Sequence, residues 1–257
     1  MRSILNLTRT MMRESFRSKL FWGLVVFLIL FFGFSVYISF LSLDTPARFI
    51  LNAGMVGLSL VCLAVTILFG LFSMYEEKSR FERYVILNRI PRSTYLMGKF
   101  TGTVLIQIMF ALLTATGIFF LTWYFAGVLP YEIFAAAYWA ILEFSLLMAV
   151  GIFFYSLDTS FPLNAMMVIA TYGVGHSTRE AMLSFIGLGQ FGSKLHFYLV
   201  KVLCVVIPDF DFFNFRLSLI HHEPIPLGKI LISTGYWGCY LAGILILCSV
   251  ILKKKDI

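Results

Sequence analysis

Long apolar runs alternate with short polar segments along the whole chain. Five runs are clear, at residues 20–43, 49–74, 100–128, 133–157 and 230–252, and a weaker sixth covers about 159–176. A helix needs about 20 apolar residues to cross the hydrocarbon core of a bilayer. Lipid offers no partner for an open strand edge, so each run is expected to be a helix. The pattern predicts an all-α polytopic membrane protein with six transmembrane helices in one domain, residues 1–257.

Composition supports this interpretation. Of the 257 residues, 60% are hydrophobic and 13% are charged, whereas soluble domains carry about a quarter charged residues. The net charge of +7 comes from segments that flank the apolar runs, where basic residues fix topology. We therefore expect a lipid bilayer, and no nucleic acid, as a partner.

The basic residues also predict the orientation. They concentrate before the first run, between the second and third, and in the tail 253–255, while the other loops before residue 177 are poor in them. By the positive-inside rule, both termini are cytoplasmic, which agrees with an even number of spans.

Segment 1–19 has the pattern of an amphipathic helix. Arg9, Arg13 and Arg17 are four residues apart and share one face, and Leu7 and Met11 lie on another side. This pattern is typical of a helix that lies on the inner membrane surface. It is equally compatible with a simple topological anchor and with a helix that also contacts a cytoplasmic partner.

Segment 177–229 is predicted to be external. Its apolar stretch 195–207 has 13 residues, about 20 Å of helix and too short to cross about 30 Å of hydrocarbon. We interpret it as a re-entrant or interfacial helix. The alternative, a seventh crossing, would place the lysine tail outside.

The known catalytic and binding motifs do not identify an active site in this sequence. Gly187, Gly189 and Gly192 match G-x-G-x-x-G, but they lie outside the strand–helix context in which that motif binds dinucleotides. The sequence has no P-loop, and His221-His222-Glu223 is more typical of a solvated loop than of a metal site. An intramembrane enzyme remains an alternative that no signature supports, so we predict neither catalytic nor metal-binding residues.

One ionisable residue falls near the centre of the fourth run. Glu143 costs at least a few kcal/mol in lipid unless it faces protein or a wet cavity. Gln107 in the third run, and Thr171 or Tyr172 in the weaker run 159–176, are its candidate polar neighbours. Glu143 and Gln107 are therefore candidates for a translocation path, or for a hydrogen-bonded staple between helices.

Segment 75–99 carries acids as well as bases. A plain topology signal needs only Lys and Arg. Here apolar side chains are interspersed with both charges, and Pro91 then ends any helix. This mixture favours a protein-docking surface over an ordinary solvated loop.

The order of three motifs resembles ABC transporter permeases of the ABC-2 exporter type. The first runs from Glu76 through Ile90-Pro91-Arg92-Ser93 to Gly98-Lys99, although Phe81 stands where Thr is usual and Arg92-Ser93 inverts the usual order. The second is Val174-Gly175-His176-Ser177. The third is Ile207-Pro208-Asp209-Phe210-Asp211-Phe212-Phe213-Asn214.

The resemblance implies a homodimeric permease in a bacterial or archaeal plasma membrane, with one separate ABC ATPase docked on each of its two subunits. It implies no cofactor in this chain, with ATP and Mg bound by the ATPase. The residues implied to couple to the ATPase are Glu76, Glu77, Arg80, Phe81, Arg83, Tyr84, Arg89, Pro91 and Arg92. Those implied at an external gate are Pro208, Asp209, Asp211 and Asn214. A membrane anchor that recruits cytoplasmic proteins without transport is the alternative, and the substrate is left open.

Overall fold

The computed structural model describes residues 2–41, 46–79, 91–127, 129–187, 207–215 and 227–254. Within these ranges all the regular elements are helices and there is no strand, so the all-α prediction is confirmed. The elements are α1 Arg2–Arg17, α2 Lys19–Leu41, α3 Pro46–Val65, a π turn Thr66–Leu71, α4 Phe72–Ser79, α5 Arg92–Ala126, α6 Glu132–Ser156, α7 Phe161–Gly187, a 3₁₀ helix Phe210–Phe213 and α8 Leu227–Lys254.

Five stretches of helix in the described ranges are long and apolar enough to cross a membrane. They are Lys19–Phe40, Arg48–Glu77, Ser93–Phe125, Glu132–Ser156 and Gly228–Ile251. The chain therefore has the character of a multi-pass membrane protein. Helix α7 is long but does not belong to this set, so the count of six spans stays a prediction. The run 195–207 lies almost wholly outside the described residues, and the re-entrant element also stays a prediction.

Helix α6 is the centre of the bundle. It contacts α3, the π turn, α5, α7 and α8, and 72% of its most apolar stretch is buried inside the molecule. A helix that is apolar on all sides can be surrounded by other helices at no cost in buried polar groups. The small side chains of α6 allow close packing, since a Cβ at Gly151 would lie 2.6 Å from Leu71 Cδ2.

Helices α2 and α8 lie at the periphery. Only 22% and 11% of their most apolar stretches are buried. Leu30 and Phe40 on α2 are 68% and 73% exposed, and Leu231 on α8 is 73% exposed. Apolar faces of this extent are found where a protein contacts lipid or another subunit.

Helix α1 packs on the first turns of α5. Met11 of α1 is buried, and the Thr8 hydroxyl of α1 lies 2.9 Å from the Thr101 hydroxyl of α5. Arg9, Arg13 and Arg17 are exposed on the opposite side. The amphipathic pattern therefore divides a protein-facing side from a basic, exposed side.

Several helices continue past the predicted apolar runs. Helix α4 continues to Ser79, and α5 begins at Arg92 because Pro91, with ψ of 140°, precedes the helix as its N-cap. Helix α7 continues to Gly187, so the first eleven residues of the predicted external segment 177–229 are helical. The physical reason is that residues 177–186 contain neither proline nor glycine to end the helix.

Candidate functional site: a carboxylate–histidine pair beside a cavity

A cavity of about 270 Å³ lies among α3, α6, α7 and segment 207–215. Ser59 contributes from α3, Trp139 and Glu143 from α6, Tyr172 and His176 from α7, and Asn214 from the end of the 3₁₀ helix. Three helices and one short irregular segment thus bring distant parts of the sequence to one place.

The polar centre of this cavity is the pair Glu143–His176. Nε2 of His176 and Oε1 of Glu143 are joined by a hydrogen bond of 2.7 Å. The side chain of Glu143 is 8% exposed and that of His176 is 27% exposed. A carboxylate buried among apolar helices needs such a partner, because an unpaired charge there would be far costlier. The pair links α6 to α7.

Aromatic rings surround the pair. The Tyr172 ring meets the His176 ring edge to face at a centroid distance of 4.8 Å, and Phe210 lies 6.0 Å from the same imidazole. On the α6 side, the Trp139 and Phe215 rings are 4.3 Å apart. The cavity therefore combines one buried carboxylate with several π faces.

Segment 207–215 closes one side of the cavity. The Asp209 side chain accepts a hydrogen bond of 3.0 Å from the backbone N–H of Asp211, which caps the 3₁₀ helix. The backbone N–H of Asp209 donates to the Tyr236 hydroxyl of α8 at 2.9 Å. Gly175 of α7 allows segment 207–215 to pack closely against that helix, because a Cβ at this position would lie 2.7 Å from the Pro208 carbonyl oxygen. The predicted gate residues thus lie against α7 and α8.

Gln107 belongs to a different cluster. Its Nε2 donates to Thr66 Oγ1 at 2.7 Å and to the Phe144 carbonyl oxygen at 3.2 Å, rather than to the Glu143 carboxylate. The Thr66 hydroxyl in turn donates to the Cys62 carbonyl. Gln107 therefore joins α5 to α6 and to the start of the π turn. Such turns in membrane-protein helices are frequent near functional positions.

Sequence reasoning missed His176 as the partner of Glu143. The candidate neighbours were Thr171, whose hydroxyl bonds back to Met167 in its own helix, and Tyr172, which does line the cavity. The available signal was the Gly175-His176 pair. It was assigned to the end of a span, whereas α7 continues beyond it.

A second polar cluster lies about 27 Å along α3 and α4 from Ser59, at about 1.5 Å per residue. The Glu77 carboxylate accepts a 2.7 Å hydrogen bond from the Tyr95 hydroxyl and forms an ion pair with Lys99. Lys99 is buried within α5, at 2% exposed. Nearby, the Asn164 amide donates to the Tyr75 hydroxyl at 2.9 Å. This cluster, which we call the Glu77 cluster, ties α4 to α5.

The predicted coupling residues divide around this cluster. Glu76 and Glu77 lie in the second half of α4, Pro91 precedes α5, and Arg92 is the first residue of α5. The remaining coupling residues lie outside the described residues: Arg80, Phe81, Arg83, Tyr84 and Arg89.

Comparison with known protein families and with curated proteins found no match to this chain. Among the described residues, no group of three or more His, Cys, Asp or Glu side chains is arranged to hold a metal ion. The function is therefore interpreted from the geometry and the sequence motifs.

Proposed function

We propose that this chain is the membrane-spanning permease subunit of an ATP-driven exporter of the ABC-2 type. In this proposal a separate ATPase binds segment 75–99, and its motion reaches the cavity at Glu143 through the helices. The ATPase, and not this chain, holds ATP and Mg.

The observation that carries the proposal is the Glu77 cluster. The segment proposed to bind the ATPase includes the end of α4 and the start of α5. Glu77 on the outgoing helix is bonded to Tyr95 and paired with Lys99 on the returning helix. Both ends of the segment are therefore joined by a buried ion pair, and a force applied to residues 80–90 acts on α4 and α5 together.

Helix α1 extends this unit. It packs on the same turns of α5, where Leu7 occupies the space that a side chain at Gly98 would need. Three elements, α1, α4 and α5, thus meet around Lys99. The basic exposed face of α1 and the mixed charges of segment 75–99 supply a surface suited to a protein partner.

A path from this unit to the cavity runs through α6. The π turn and α5 both contact α6, and Gln107 of α5 bonds the carbonyl of Phe144, the residue next to Glu143. Displacement of α5 would therefore act on the backbone that carries Glu143. Closely packed helices respond to displacement by shifting between discrete arrangements.

The proposed architecture has six spans, with α7 as the fifth. Helix α7 has 27 residues, about 40 Å at about 1.5 Å per residue. Its start lies beside Tyr75, near the Glu77 cluster, and its His176 lies at the cavity. The exposed apolar faces of α2 and α8 are available for lipid and for a second permease subunit in a homodimer. The proposal places both termini on the cytoplasmic side of a bacterial or archaeal plasma membrane, and the Pro208–Asn214 region on the outer side.

Charge reversal in the docking segment tests this function. We expect Arg80→Glu with Arg83→Glu to abolish ATP hydrolysis by a co-purified complex while the permease remains folded in the membrane. The matched control is Lys254→Glu with Lys255→Glu, the same double reversal in the C-terminal tail. Unchanged hydrolysis and unchanged ATPase content in the segment variant would refute the coupling assignment and favour a membrane anchor.

A further inference from the structure

We propose that the cavity beside Glu143 binds an organic ammonium group, and that the exported substrate carries one. The export part of this statement rests on the proposed function, whereas the binding part rests on the cavity alone. The ammonium group can belong to a soluble amine or to a lipid headgroup, because both present the same chemistry to the protein.

The charges around the cavity favour a cation. Glu143 lines it directly, and Asp209 and Asp211 flank Phe210, whose ring lies 6.0 Å from the His176 imidazole. Among the described residues that line the cavity, none is Lys or Arg. One carboxyl group thus lies in the cavity wall and two more lie in the adjoining segment, an arrangement that stabilises positive charge.

The rings distinguish an organic cation from a metal ion. Trp139, Tyr172, Phe213 and Phe215 all line the cavity. Aromatic faces attract alkylammonium groups through the ring quadrupole, and such groups are recognised by aromatic cages. A hard metal ion requires six or more oxygen ligands, whereas only four of the described lining residues carry a side-chain oxygen: Ser59, Glu143, Tyr172 and Asn214.

The His176 imidazole shows how a nitrogen-containing group fits this site. Its imidazole nitrogen lies 2.7 Å from the Glu143 carboxylate, and its ring contacts Tyr172 and Phe210 at 4.8 and 6.0 Å. A nitrogen held between one carboxylate and several rings is the arrangement expected for a bound ammonium group. We infer that His176 forms the hydrogen bond to Glu143 when the cavity holds no substrate, and that an ammonium ligand competes with His176 for the Glu143 carboxylate.

The cavity size limits what enters. Pockets for drug-sized ligands have volumes of about 300–1,000 Å³, and this one measures about 270 Å³. It therefore suits a headgroup of the size of choline, with any longer apolar part of the substrate lying outside it. Asn214, which lines the cavity, is exposed, so the cavity reaches the molecular surface at that end.

Direct binding of choline to the purified chain tests the proposal. The protein is held in a maltoside detergent, which contributes no ammonium group, and needs no ATPase. We expect saturable binding of labelled choline in the wild type. Glu143→Gln keeps the size of the side chain and its hydrogen-bonding capacity but removes the charge, and should weaken binding at least about tenfold. Glu132→Gln, the same change on the same helix away from the cavity, should leave binding unchanged.

Two further measurements make the result decisive. His176→Ala should strengthen choline binding, because it removes the internal competitor. The uncharged choline isostere, with carbon in place of the ammonium nitrogen, should not displace the label. Equal affinity of wild type and Glu143→Gln, or equal competition by the isostere, would overturn the proposal. A folded Glu143→Gln protein, checked by size-exclusion chromatography, excludes unfolding as the cause of lost binding.

A competition experiment distinguishes a lipid headgroup from a soluble amine as the source of the ammonium group. A short-chain phosphatidylcholine, used below its micelle concentration, should compete better than choline if the ligand is a lipid, and no better if it is a soluble amine. If the chain binds choline but brings no ATPase with it when purified from its native membrane, the exporter function is refuted and the site stands. An associated ATPase with no binding of either amine would refute the substrate class alone.

Discussion

The ion pair between Glu77 and Lys99 allows a quantitative test of how the two ends of segment 75–99 are joined. The Lys99 side chain is 3% exposed and that of Glu77 is 15% exposed. Removing one partner of a buried pair typically costs about 3–5 kcal/mol, because the other charge is left buried alone. Glu77→Gln should therefore destabilise the chain by about 3 kcal/mol or more, since it leaves the more buried charge unpaired.

The reverse change should cost less. In Lys99→Met, the Glu77 carboxylate keeps its hydrogen bond from Tyr95 and its partial exposure, so the expected loss is about 1–3 kcal/mol. The double variant should lose clearly less than the sum of the single losses, because no charge is then left unpaired. This non-additivity is the signature of direct coupling.

The assay is reversible unfolding of the purified chain in mixed maltoside and dodecyl sulfate micelles, followed by circular dichroism. Lys229→Met, which removes an exposed lysine at the start of α8, is the control and should change the free energy of unfolding by no more than about 0.5 kcal/mol. Single losses as small as this control, or strictly additive losses in the double variant, would refute the reasoning.

Two packing predictions concern other joints of the bundle. Gly98→Leu should destabilise the chain by about 1–3 kcal/mol in the same unfolding assay, because a Cβ there would lie 2.4 Å from Leu7 Cδ2. The control Gly23→Leu should be nearly neutral, because nothing lies within 4 Å of its Cβ position. Equal losses in the two variants would contradict the packing of α1. Asn164→Leu should cost about 1–3 kcal/mol by leaving the Tyr75 hydroxyl without its 2.9 Å donor, and an unchanged melting temperature would contradict this role.

The fold was largely predictable from the apolar pattern, because runs of this length leave few alternatives in lipid. The run 133–157 coincides closely with α6, Glu132–Ser156. The pattern could not show that α6 is the centre while α2 is peripheral, since both read as uniformly apolar. That distinction arises from packing against neighbours, as the contact of Gly151 with Leu71 illustrates.

The candidate site was predictable only in part. Glu143 was identifiable because an ionisable residue in an apolar run is costly. Its partner His176 lies 33 residues away on another helix, and no local pattern indicates which faces of α6 and α7 meet. Similarly, Gln107 was expected to contact Glu143, but it bonds Thr66 and the carbonyl of Phe144, the residue next to Glu143.

The central claim is that this chain works with a separate ATPase. The most direct measurement is ATP hydrolysis by the tagged wild-type chain purified from its native membrane, with the protein content determined by mass spectrometry. We expect vanadate-sensitive hydrolysis and a P-loop ATPase in a one-to-one ratio with the permease. A pure, folded chain with no ATPase and no hydrolysis would contradict it.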